Sequence, residues 1–293
     1  MAKTQLWSKI SLWLILWLFS VALLMVASWD SYLHDIYFHY DSPWFFMCGK
    51  AWMNGLTPYI DFSDSKGPLL WLIYGLGYVI SPRDYTGIYW LSTVFFAIAF
   101  YYAYKSALLI TDNRATAALA TALMAFLLLV KWIHDETRCE DFCCVAIMPV
   151  VYYFVKCNKA TSDKDSLVKH AAFTLGVSLG ITLLIKYNFT AMVAIAIPYF
   201  TWIIPRRLRC SPWWAMAWIA IGAVLVIAPI AVVLVIQGCF ADFLREYFLI
   251  TAKTINNIQA AGDVGHRMSL VLRNPLVYSC RSWPFVSAGK PFG

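Results

Sequence analysis

The polar positions of this chain fall into short groups that separate long apolar runs. Apolar stretches cover Ile10 to Ser28, Tyr85 to Tyr104, Ala115 to Lys131, Phe142 to Val155, Ala171 to Ile185, Phe189 to Ile204 and Trp213 to Ile236. Several reach or approach the roughly 18–20 apolar residues that cross a hydrocarbon core, and their repetition predicts an all-α polytopic membrane protein. An eighth run, Leu69 to Ser81, is shorter and holds Gly75 and Gly77. It predicts an interfacial or re-entrant helix rather than a span.

Between the first run and the rest, Tyr40 to Pro68 carries Asp41, Asp61, Asp64, Lys50 and Lys66. Within it Trp44, Cys48 and Trp52 recur at i, i+4 and i+8, with Pro43 at the start and Gly55 beyond the end. That pattern predicts an aromatic helix over Pro43 to Asn54, lying at the membrane interface. A helix that only covers the bundle needs the aromatics. It does not need Asp41 before it and Asp61, Asp64 and Lys66 after it.

Composition agrees with the pattern: 61% of residues are hydrophobic, 13% are charged, and the mean hydropathy is +0.65. The net charge of +7 is a topology signal rather than a nucleic-acid signal, because the basic residues sit in short loops between runs. If Leu69 to Ser81 does not cross, one side holds eleven basic residues, Lys3, Lys9, Lys105, Arg114, Lys156, Lys159, Lys164, Lys169, Arg206, Arg207 and Arg209, against Asp112, Asp163 and Asp165. The rule that cytoplasmic loops are positive then predicts seven spans, the N-terminus inside, and a long first external loop, 29–84. The first run follows Lys3 and Lys9 but lacks a small-residue cleavage site ahead of Trp29, so it reads as a retained span. The eight cysteines are scattered, and Cys139, Cys143 and Cys144 match no zinc spacing. They read as free thiols, and no metal-binding cluster is evident.

Two further groups fall on the predicted external side. HDETRCED places Glu140 and Asp141 at the start of a helix, where the dipole favours carboxylates, and Lys186 ends a run in LLIKYNF. Taken singly, these are a helix terminus and a snorkelling lysine. Taken together, they set ionisable clusters at helix ends on one face of the membrane. Gly176 and Gly180 have the small-xxx-small spacing of close helix packing.

In this order the residues resemble a known family. DSPWFFMCGKAWMNGL, GLTPYIDFSDSKGPL, Glu140-Asp141-Phe142, GVSLGITLLIKYNF, FADFLREYFLI and the later Gly265-His266-Arg267 look like GT-C glycosyltransferases that use polyprenyl-phosphate sugars. The nearest branch is the one with protein O-mannosyltransferases and the lipid A aminoarabinose transferase, glycosyltransferase families 39 and 83. The resemblance implies a transmembrane catalytic module over 1–275 and inverting transfer to a lipid, glycan or protein acceptor. It implies Asp41 as base, Asp141 or Glu140 orienting the acceptor or holding a lysine, and Lys66, Lys186 and Arg138 on the donor phosphate. Asp61, Asp64, His266 and Arg267 are further candidates. No cofactor is expected beyond the lipid-linked sugar substrate, although Asp41 and Asp141 leave room for a divalent ion. The implied location is a bacterial inner membrane with the site facing the periplasm.

Asp41-Ser42 stands where many members have Asp-Glu. The last segment, 276–293, has no helical period where members continue through further spans, and reads as truncation. The alternative reading is a transporter or lipid flippase without transferase activity. That class expects ionisable residues near the bilayer midplane and an internal repeat, and the sequence displays neither.

Overall fold

The structure is a computed structural model that describes residues 2–31, 33, 41–132, 138–161 and 165–250. Two compact units are present, Met1–Phe243 and Leu244–Gly293. In the second, the described part is the π-helix Leu244–Ile250.

Among its described residues, the regular elements of the first unit are helices: α1 (Ala2–Ala27), α2 (Asp41–Met53), α3 (Pro68–Ile80), α4 (Thr86–Thr111), α5 (Arg114–Trp132), α6 (Cys139–Lys159), α7 (Asp165–Ile185), α8 (Tyr187–Ala194), α9 (Ile204–Arg207), α10 (Pro212–Ile236) and α11 (Phe240–Phe243). A π-helical stretch, Tyr199–Ile203, leads into α9. Among the described residues, five helical segments are long and apolar enough to cross a membrane: Ile10–Ala27, Thr86–Thr111, Asp165–Ile185, Tyr187–Arg207 and Pro212–Ile236. The other two runs expected to span, Ala115 to Lys131 and Phe142 to Val155, lie within α5 and α6. The molecule is an all-α polytopic membrane protein.

Apolar clusters among the described residues hold the bundle. Leu16, Leu24, Tyr89, Phe96, Phe100 and Ala125 join α1, α4 and α5. Val150, Leu175, Phe200, Ile204 and Ala215 join α6, α7, the π segment, α9 and α10. Where lipid removes the hydrophobic drive between helices, close backbone approach and hydrogen bonds take over. At the α7–α10 seam a Cβ on Gly176 would stand 2.0 Å from the Ile219 carbonyl oxygen, and one on Gly222 would stand 2.3 Å from that of Phe173. The glycine spacing in α7 is therefore a packing device. Between α1 and α4, the Tyr89 hydroxyl donates to the Val21 carbonyl at 2.9 Å, and Trp17 Nε1 donates to Thr93 Oγ1 at 3.2 Å.

The bundle has two chemically different ends. At one, Lys159 pairs with Asp112 at 3.4 Å and Arg207 Nη2 donates to the carbonyls of Cys157, Asn158 and Ala160. This ties the ends of α4, α6 and α9 together. At the other end lie the end of α7 and the starts of α4 and α6. Both termini of α3 are there too: the Gly67 amide donates to the Ile185 carbonyl at 2.9 Å, and Gly77 packs on Gly87 near the start of α4. Helix α3 thus leaves from and returns to one end of the bundle.

Candidate active site

The candidate site is built where α3, α6 and α7 meet at that second end. Lys66 reaches it through the loop Gly55 to Gly67. Gly55, at φ +93°, stops α2, and Tyr59 holds φ +64°, an uncommon backbone conformation for a tyrosine. The surrounding contacts fix it: Tyr59 N donates to the Phe62 carbonyl at 2.7 Å, and its ring packs on Trp71 and Phe243. Its hydroxyl donates to the Lys66 carbonyl at 3.1 Å. The Lys66 ammonium then lies 5.8 Å from the centre of the Phe45 ring, a cation–π placement.

Lys186 follows α7 directly and ion-pairs with Glu140 in the first turn of α6, both side chains being partly buried. The Cys139 thiol donates to the other Glu140 oxygen at 3.0 Å. Burial would raise the Glu140 carboxyl, but the bonds from Cys139 and Lys186 outweigh it and bring it down to about 2. Burial works against the Lys186 charge, yet the bond to Glu140 leaves its ammonium above the ordinary lysine value. The Cys139 thiol is pushed up to about 12 by burial and by Glu140, against the pull of Lys186 and Lys66. Both lysines therefore act on one point at the head of α6.

Asp141 is buried and has another job. Its Oδ2 accepts from the Arg138 amide at 2.8 Å, closing a capping box at the start of α6. Arg138, as N-cap, stands beside the pair.

Asp41 occupies the first turn of α2 with its side chain exposed, one helical turn before the buried Phe45 on which Lys66 rests. The next residue anchors that turn. Ser42 Oγ donates to the buried Asp30 carboxylate at 3.1 Å and lies 3.2 Å from the Tyr74 hydroxyl on α3. Three elements, the end of α1, α2 and α3, are joined there.

Among the residues expected from sequence, Lys186, Glu140, Asp141 and Arg138 gather at the head of α6, Lys66 is tied to the end of α7 through Gly67, and Asp41 stands at the start of α2, which packs on α3. Asp61 and Asp64 serve turns: Asp61 Oδ2 accepts from the Thr57 amide at 2.7 Å, and Asp64 Oδ1 accepts from the Ser65 amide at 2.5 Å. His266 and Arg267 lie outside the described residues. Among the described residues no group of three metal-ligating side chains gathers. Sequence reasoning missed Cys139 as a partner of Glu140, Tyr59 as the prop of Lys66, and the Asp30–Ser42–Tyr74 anchor. Only the polar identity of Asp30 and Ser42 beside a span hinted at the last.

An apolar cavity of about 590 Å³ opens below this cluster, lined by Leu69, Ile73, Phe142, Val145, Ile181 and Ile185 among others. Leu69 lies in the first turn of α3, just after Lys66 and Gly67, and Ile185 directly precedes Lys186. The arrangement offers cations over an apolar slot, the complement of a phosphate carrying a hydrocarbon chain.

No curated protein and no solved structure matches the chain. Residues 3–241 match the family model described as dolichyl-phosphate-mannose-protein mannosyltransferase, most of the length of the chain, and the protein belongs to that family of membrane glycosyltransferases.

Proposed function

We propose that the protein transfers a sugar, mannose by its family, from a polyprenyl-phosphate donor to a hydroxyl acceptor at the extracytoplasmic face, with inversion and with Asp41 as base. The observation that carries this reading is the bond from the Gly67 amide to the Ile185 carbonyl, which brings together the backbone positions of Lys66 and Lys186 beside a cavity lined by Leu69 and Ile185.

The chemistry follows from the parts. The polyprenyl chain lies in the slot and its phosphate meets the Lys66 ammonium. Among the described residues neither ion pair includes Lys66, so its charge is available to the ligand. Lys186, held by Glu140, and Arg138 add positive potential. The acceptor oxygen attacks the anomeric carbon and gives its proton to Asp41. The bond from that carbon to the phosphate oxygen breaks, and the phosphate leaves with the electron pair, its growing charge met by the lysines. Glu140 is too acidic for the proton-accepting role, because a base near 2 gives little driving force at neutral pH. Asp41 is our choice for it, supported by its place in the first turn of α2, next to the Ser42–Asp30 anchor, and by its exposure.

The sidedness rests on charge. The Lys159–Arg207 end of the bundle holds the basic loops expected in the cytoplasm, and the candidate site is at the other end. A bacterial inner membrane with the site facing the periplasm suits this orientation. Mass measurement of lipid extracted from the purified protein tests the donor class: a polyprenyl phosphate or its sugar adduct is expected. Recovery of bulk phospholipid alone, with no transfer from an added polyprenyl-phosphate sugar, counts against the reading.

A further inference from the structure

A second, larger cavity of about 750 Å³ opens at the opposite end of the bundle, between the ends of α4 and α6 and the start of α7. We propose that it binds the phosphate headgroup of an anionic membrane lipid, a role separate from sugar transfer.

The wall is basic and hydroxylated: Lys156, Lys159, His170, Tyr153 and Ser166 face the space. The Lys156 ammonium rests 5.3 Å and 5.7 Å from the ring centres of Tyr152 and Tyr153 and belongs to no ion pair among the described residues. Lys159 pairs with Asp112 at 3.4 Å, but the two side chains are 45% and 82% exposed, so water screens the pair and a phosphate exchanges readily for the carboxylate. One acid stands in the lining, Asp165, whose Oδ1 accepts from the Cys210 thiol at 2.9 Å; the ammonium groups of Lys156 and Lys159 outnumber it in the wall. The carbonyls ending α6, which would repel an anion, are covered by Arg207 Nη2. His170 Nδ1 lies against the Ser166 carbonyl, which fixes the ring at the rim.

Free phosphate and a lipid headgroup share this chemistry. Leu109 favours the lipid, because this partly buried residue of α4 adjoins the exposed Ile110, so that the wall continues onto the apolar flank of the bundle, where acyl chains run. Basic pockets between helix ends on the positive side of a membrane protein are the usual setting for anionic headgroups.

Native mass spectrometry of the full chain distinguishes these occupants. The protein is taken from nanodiscs of phosphatidylcholine with or without phosphatidylglycerol, or incubated in detergent with inorganic phosphate. The expected result is retention of phosphatidylglycerol about tenfold over phosphatidylcholine. The double variant Lys156→Gln, Lys159→Gln loses that preference, and Lys105→Gln, on α4 outside the cavity, keeps it. Equal retention of the two lipids by the wild type overturns the proposal and needs no variant to fold. A preference kept by the double variant, or inorganic phosphate adducts as persistent as phosphatidylglycerol, overturns it as well.

Discussion

The Gly67 amide donates to the Ile185 carbonyl at 2.9 Å, and this bond brings Lys66 and Lys186, far apart in the chain, to one place. The contact requires glycine: a Cβ at position 67 would stand 2.1 Å from the Leu184 carbonyl oxygen, with no flexible side chain to yield. Gly67→Ala is expected to cost about 1–3 kcal/mol of stability by overpacking and to lower transfer more than stability alone explains. Melting temperature and kcat measured on the same preparation check this. A variant with native kcat would show that the two lysines act independently.

Glu140 and Lys186 form a pair whose contribution has a defined pH window. Glu140 in the fold titrates near 2, below its ordinary 4.5, so its contribution is complete above about 4.5 and is lost as pH falls toward 2. Lys186 is raised above 10.5, so its part is complete below that value and is lost as pH rises through it. Glu140→Gln is expected to cost about 1.5–3 kcal/mol through neutral pH, the range for hydrogen bonds to charged groups. The gap in melting temperature between variant and wild type then narrows as the solution is acidified below 4.5. A gap that widens in acid would contradict the assignment.

Ser42→Ala removes one donor to the buried Asp30 carboxylate and loosens the first turn of α2. The expected cost is about 1–3 kcal/mol. Because Asp41 is the adjoining residue, kcat should fall while KM for the donor holds. Steady-state kinetics against donor concentration separate the two, and a pure KM effect would detach Ser42 from the placement of Asp41.

Ile98 lines the apolar slot from α4 and is only partly buried, so a larger side chain there fills the slot without rebuilding the core. Ile98→Trp is expected to raise KM for a long-chain polyprenyl donor about tenfold, equivalent to about 1.4 kcal/mol. A donor analogue with a single short isoprenoid should be affected less. Equal effects on both donors would place the chain elsewhere.

The helices are legible in the sequence because an apolar run in this class of protein has few alternatives to helix. The docking of α2 and α3 is less so. Leu69 to Ser81 is recognisably too short to cross, but nothing local says that Gly67 touches Ile185. The carboxylates show the same divide. Glu140 and Asp141 are adjacent acids at a helix start, and only the tertiary arrangement turns one toward Lys186 and the other back to the Arg138 amide. Asp61 and Asp64 look like site residues because they cluster with Lys66, whereas short-range turn geometry uses both. Asp30 and Tyr74 reach Ser42 from distant positions, a contact that no spacing rule reports.

In the proposed reaction Asp41 accepts the proton of the incoming acceptor as the sugar leaves its polyprenyl phosphate. The direct measurement is single-turnover transfer from polyprenyl-phosphate mannose by the purified full chain and by Asp41→Asn, with melting temperature measured alongside. The expected result is product formation by the wild type and a loss of about 10²–10⁴-fold in the variant at unchanged melting temperature. Transfer by Asp41→Asn at the wild-type rate would contradict it.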